Sequence, residues 1–234
     1  MTNKMRSYLV NKYWELRGQD RKLFFDNIDN PKVVVDDIIM FVQKKHVQMA
    51  IAKKDGKKII FILGSNQFVD WLYNLWFRFK RTPYQDTGTN KKIRAHIGFY
   101  KSYLLIRNSL HQVIRKDDDV IIMGQSLGAA IATFAALDIN YNFPEINIEC
   151  FITGSPRCGN KRFVESYNKR VPKTERFVYG NDFVPALPFT LFGYRHVSKR
   201  IKLGPKRWHK MSIKDHMYMI KKKTVRNSYL KELG

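Results

Sequence analysis

Gly124-Gln125-Ser126-Leu127-Gly128 is the stretch of this chain best equipped for chemistry, because it matches G-x-S-x-G. In that pattern a serine sits on a sharp turn between a strand and a helix, and the flanking glycines remove Cβ atoms that would clash there. Ser126 Oγ would project above a sheet, with backbone N–H groups at the helix N-terminus aimed at negative charge developing beside it. Five residues with two free positions make a weak pattern, and an ordinary tight turn is the competing reading. Its context raises it. The apolar run Val120-Ile121-Ile122-Met123 before it reads as a strand buried on both faces, and the alanine-rich stretch from Leu127 to Leu137 reads as an uninterrupted helix.

A serine hydroxyl is a poor nucleophile until a base takes its proton, and the base needs an acid to orient it. Where this turn carries a nucleophile, the chain order is serine, then Asp or Glu, then His. Only His196, His209 and His216 lie downstream. Asp182, directly after the apolar segment Glu175 to Tyr179, is the best-placed carboxylate. His216 falls at a loop-to-helix junction and is favoured as the base. His196 sits inside an expected strand and reads as a packing residue, and His209 follows a basic turn and reads as surface.

The elements that must hold these groups are legible in outline. Residues 4 to 16 suggest a short amphipathic helix, and Val34, Val35, Ile38, Ile39, Phe41 and Val42 suggest a longer one from Pro31 to about Lys53. Lys58 to Leu63 reads as a strand, and Phe68, Trp71, Leu72, Leu75 and Trp76 then recur at helical spacing. A short strand at 93–99 and a helix from Tyr100 to Arg115 precede the central strand. Beyond the central helix come a strand at 146–153, a helix ending near Arg170, the strand at 175–179 and a strand pair within 193–203. Alternating strands and helices imply a mostly parallel sheet with its chemistry at the C-terminal strand ends. No internal repeat or long linker divides the chain. The expectation is one α/β domain over 1–234, with a helical segment at 1–55 and a basic segment at 190–234.

These residues together resemble the class 3 lipases, the fungal-lipase-like branch of the α/β-hydrolase fold, across roughly residues 57–220. The matching segments are FILGSNQFVDWLYNL (61–75), AHIGFYKSY (95–103), GQSLGAA (124–130), TGSPRCGN (153–160), VYGNDFVPALP (178–188) and DHMY (215–218). The resemblance implies Ser126 as nucleophile, Asp182 as acid and His216 as base. It implies Ser65 as an oxyanion-hole residue, with Leu127 supplying a second backbone N–H. The stripe Phe68, Trp71, Leu72, Leu75 and Trp76 aligns with the family's lid helix, against the plainer reading of a core-facing helix. His96 and His196 match positions that are not catalytic. Gln125 and Ala129 depart from the family, which usually has histidine and glycine there. The implied function is hydrolysis of lipid carboxylic esters, acylglycerol or phospholipid, through an acyl-serine, with no metal or organic cofactor. The alternatives are a lipid- or polyanion-binding module on a hydrolase scaffold, or acyl transfer with the same three side chains.

Bulk properties bound the rest. At 234 residues and 44% apolar, the chain suits one folded domain, and no run approaches a membrane span. The first twenty residues lack the pattern of a secretory signal, and Cys150 and Cys158 form no disulfide framework, so the expected setting is cytoplasmic or intracellular. Net charge is +23, and residues 190–234 hold 13 Lys and Arg against 2 Asp and Glu. Attraction to an anionic membrane surface and a merely solvated face are balanced readings, with nucleic acid disfavoured for want of a reading element. Nothing in the sequence reports oligomeric state.

Overall fold

The computed structural model describes residues 37–63, 78–84, 92–203, 212–213 and 215–216. Its centre is a seven-stranded sheet built from β1 (Asp37–Lys44), β2 (Val47–Lys54), β3 (Lys57–Leu63), β6 (Asp119–Gln125), β7 (Asn147–Thr153), β8 (Thr174–Tyr179) and β9 (Arg200–Leu203), in that spatial order. The first three strands pair antiparallel and the remaining neighbours pair parallel. A small ribbon of β4 (Phe79–Arg81) and β5 (Arg94–His96) stands apart. Three α-helices, α1 (Ile97–Val113), α2 (Leu127–Asn142) and α3 (Lys161–Arg170), and two short 3₁₀ segments, Val184–Ala186 and Thr190–Phe192, complete the described elements. The expected mostly parallel sheet flanked by helices is present.

Composition explains the core strands. Ile59 to Ile62 in β3 and Val120 to Ile122 in β6 are buried, as unbroken β-branched runs must be when both sheet faces are covered. Helix α2 runs through the middle, with every residue from Leu127 to Asn140 buried. Its alanines let it lie close to the sheet. At Gly124 the approach is so tight that a Cβ would sit 2.3 Å from the Gly128 carbonyl oxygen.

The longer helix expected from Pro31 to about Lys53 is corrected where the structure describes it: residues 37–54 form the antiparallel hairpin β1–β2. The apolar residues at 38, 39, 41 and 42 fit either period, and pairing with β3 decides between them. Two-residue connections carry the signal that favoured strands. Lys45 has φ 53°, while Asp55 and Gly56 have φ 48° and 74°, the left-handed geometry of a tight hairpin turn. Within 193–203 only Arg200–Leu203 forms a strand of the main sheet, and Arg195 contributes an isolated bridge to Gly159. Residues 4–16, Ser65 and the stripe at 66–76 lie outside the described residues, as does most of 204–234.

Asp138 ties the two largest helices together. Its side chain is fully buried on α2 and accepts from Tyr103 Oη at 2.5 Å, Arg107 Nε at 3.1 Å and His111 Nε2, all on one face of α1. Burial would raise this carboxyl, but donation from His111 and Tyr103 outweighs it and holds Asp138 below the ordinary carboxylate value. Its stabilisation is therefore present above pH 3.8 and is lost as pH falls from there through the lowered folded value. Asp138→Ala is expected to cost about 3–5 kcal/mol in a urea titration, because it strands buried donors. Tyr103→Phe, which removes one donor from a carboxylate that keeps others, should cost about 1 kcal/mol.

Candidate active site

Ser126 links β6 to α2 with φ 58° and ψ −123°, a backbone shape that side chains other than glycine's adopt only under strain. Its N–H donates to Thr153 O at 2.9 Å, and its carbonyl accepts from Ala129 N and Ala130 N, so strand and helix hold the turn from both ends. Leu127, fully buried, opens α2 directly after it and puts its N–H at the helix N-terminus.

His216 and Asp182 come to this serine from 90 and 56 residues away. His216 Nε2 lies 2.8 Å from Ser126 Oγ, and His216 Nδ1 lies 3.0 Å and 2.9 Å from the two Asp182 oxygens. An ionised carboxylate only accepts, so Nδ1 carries the ring proton and Nε2 is left to accept from the serine hydroxyl. Asp182 is itself held by Val184 N, which donates to Oδ1 at 2.9 Å from the first turn of a 3₁₀ segment, Val184–Ala186. All three side chains are buried.

Two glycines and one carboxylate complete the setting, and none of them stood out as functional in the sequence. Gly154 has φ +57°, and a Cβ there would fall 2.8 Å from Asp182 Oδ2 and 3.1 Å from the His216 ring. Gly180 has φ +49°, and a Cβ there would fall 2.5 Å from Asp215 Oδ2. That same oxygen accepts from Asn181 N at 2.8 Å, while Ser212 N donates to Asn181 O. The segment carrying His216 is thus pinned to the segment carrying Asp182. The nearest sequence signal was the place of Gly154, Gly180 and Asp215 inside the segments TGSPRCGN, VYGNDFVPALP and DHMY.

His96 and His196, the two histidines expected to be non-catalytic, are occupied elsewhere. His96 is fully buried and caps α1, its Nδ1 accepting from Gly98 N and Phe99 N at 3.1 and 3.3 Å. Burial pushes it down to about 4. His196 Nε2 donates to Pro185 O at 2.7 Å, and burial, then the charges of Arg176 and Arg157, push it down to about 3. Both rings are neutral when folded, and below pH 6.5 the unfolded chain binds protons that they do not. Stability should therefore fall with pH below 6.5, by about 1.4 kcal/mol per unit for each ring, until their folded values are reached. Denaturant titrations at pH 7, 6 and 5 test this, and His96→Asn, which keeps a capping acceptor, should remove about half the slope. Cys150 and Cys158 are buried and unpaired, and burial pushes both thiols up to about 12, so neither competes as a nucleophile.

A family model described as lipase (class 3) matches residues 59–192. The chain belongs to the class 3 lipase family. Among curated proteins, this class 3 lipase is 29% identical to a lipase of Rhizopus niveus over 167 residues, 66% of this chain and 41% of that protein. It is 29% identical over 157 residues to a secreted mono- and diacylglycerol lipase of Penicillium camembertii, covering 64% of this chain and 49% of that protein. The chain thus spans less than half the length of these relatives. Among solved structures, a Rhizomucor miehei triacylglyceride lipase superposes with a TM-score of 0.68 at 23% identity, over 86% of this chain and 79% of that one. A second is a triacylglycerol lipase described as having a serine protease triad at its catalytic centre, with a TM-score of 0.69 at 23% identity, over 86% of this chain and 79% of that one. These likenesses establish the α/β-hydrolase fold.

The cytoplasmic or intracellular setting expected from the sequence is overturned by relatives that are named as secreted lipases. That expectation leaned on the charged first twenty residues and on the two cysteines. A small buried thiol packs as a hydrophobe in either redox environment, so their pairing carries no information about compartment. No helix among the described residues is long and apolar enough to cross a membrane.

Proposed function

We propose that this class 3 lipase hydrolyses carboxylic esters of lipids through an acyl-serine intermediate. The observation that carries the reading is the unbroken hydrogen-bonded line from Ser126 through His216 to Asp182. His216 removes the Ser126 proton as Oγ attacks the ester carbonyl, and Asp182 stabilises the imidazolium that forms. The tetrahedral oxyanion is met by the Leu127 N–H and by Ser65. His216 returns the proton to the leaving alcohol, then activates the water that releases the fatty acid. The acylglycerol substrates named for the relatives favour acylglycerols over phospholipids. A serine-directed fluorophosphonate should label Ser126 stoichiometrically, and a panel of triacylglycerol, diacylglycerol, neutral phospholipid and anionic phospholipid then ranks the head groups. A folded protein that is not labelled at Ser126 would end the proposal.

Peripheral contact with an anionic membrane surface is part of the same reading. Phe189, Leu191 and Phe192 are 43%, 89% and 50% exposed on a short 3₁₀ turn, Thr190–Phe192, seven residues beyond Asp182. Arg195 braces the turn through Thr190 O at 2.9 Å. Apolar tips beside cations suit a charged lipid–water boundary. Leu191→Asp should weaken binding to phosphatidylglycerol vesicles roughly tenfold or more while leaving hydrolysis of a water-soluble ester unchanged. Equal binding of both proteins removes the tip from the account.

A further inference from the structure

Arg176 and Arg200 stand side by side at the β8–β9 edge of the sheet, with Arg157 near enough for its charge to act on Arg176. Arg176, the third residue of β8, is 5% exposed, and Arg200 stands beside it in register at the start of β9. Arg157, just beyond β7, reaches the same region with Nη1 on Ala186 O and on Pro188 O at 2.8 Å. Arg195 adds its charge to that felt by Arg157, its own Nη1 spent on Thr190 O and Tyr194 O.

Their charge is unbalanced. Among the described residues, none of the four forms an ion pair with a carboxylate, and Arg176 donates only through Nε, to Val197 O at 3.1 Å. Its two Nη groups make no hydrogen bond among those residues. Burial first, then repulsion from Arg200 and Arg157, push Arg176 down to about 10, so it remains charged at neutral pH. His196, which also feels Arg176, Arg157 and Arg200, is neutral and offers no compensation. An arginine cannot shed its proton as a buried lysine can, so Arg176 holds its charge beside two other cations. A planar fork with free N–H groups, ringed by further cations, has the chemistry of a receptor for a tetrahedral oxyanion.

We infer that Arg176, Arg200 and Arg157 form a binding site for a phosphate group, with the Arg176 fork at its base. The site is separate from Ser126 and does not depend on the reaction there. Among the described residues it meets the acid's loop through the Arg157 and His196 bonds to residues 185–188. A phosphate could arrive free in solution or as a lipid headgroup, and the two sources are separable.

The test uses the full chain. In the soluble arm, the melting temperature is followed against inorganic phosphate and glycerol phosphate, with sodium chloride at matched ionic strength as control. A phosphate concentration about a hundred times Kd should raise Tm by roughly 5–10 °C beyond the chloride control. In the vesicle arm, binding to phosphatidic acid is compared with binding to phosphatidylglycerol at equal surface charge. Arg200→Glu places a carboxylate beside Arg176 from an exposed position. It should raise Tm without phosphate and abolish the response in whichever arm the wild type shows it. Arg176→Met should abolish it as well. A soluble response assigns free phosphate, and a response confined to phosphatidic acid assigns a headgroup. The inference is overturned if neither arm responds beyond its control, or if Arg200→Glu responds like the wild type.

Discussion

Ser126→Ala is expected to lower kcat on a short-chain nitrophenyl ester by about a millionfold, with the protein still folded. On the proposed mechanism the substitution deletes the atom that bonds to the acyl carbon, and it leaves the His216–Asp182 pair intact. Because Cβ is retained, the positive-φ backbone keeps its strain and its bonds to Thr153, Ala129 and Ala130. Ser126→Gly separates the two consequences of that turn. It should be equally inactive yet more stable by about 1 kcal/mol, because glycine adopts φ 58° freely and the strain is then relieved. Hydrolysis by purified Ser126→Ala at more than a hundredth of the wild-type rate would show that another group attacks the ester.

Asp182→Asn should cost about 10⁴ in kcat with little change in KM, through the tautomer of His216 rather than through misfolding. Val184 N donates to Oδ1 of residue 182, so an asparagine there keeps its carbonyl on Val184 and puts its amino group in the place of Oδ2, the oxygen nearer to His216 Nδ1 at 2.9 Å. An amino group facing Nδ1 drives the ring proton to Nε2, which then cannot accept from Ser126 Oγ. The geometry survives and the base is disabled. A loss smaller than tenfold would mean that Asp182 holds the loop and does no more.

Local information carried a long way along this chain. The turn at Ser126 was readable because its requirements are local: a β-branched run, a residue bracketed by glycines, and an alanine-rich helix. The strands β3, β6, β7 and β8 were readable for the same reason, since each is an apolar run between turn signals. The hairpin β1–β2 was misread as helix, because residues 38–42 satisfy both periods and the arbiter, the edge of β3, lies outside the segment. The setting was misread from the first twenty residues and from thiols whose burial makes their redox state uninformative.

By itself the sequence determined that a serine, an aspartate and a histidine follow one another in the order that the proposed chemistry requires. Only the tertiary structure decided that His216 Nε2 reaches Ser126, that Gly154 must lack a Cβ beside Asp182 and His216, and that Asp138 is the acceptor for three side chains of α1. It alone decided that Arg176 and Arg200 stand side by side. The physical reason is range. Propensity and periodicity act over a few residues, whereas hydrogen bonds and charge repulsion act over a few ångströms between residues that the chain places tens of positions apart.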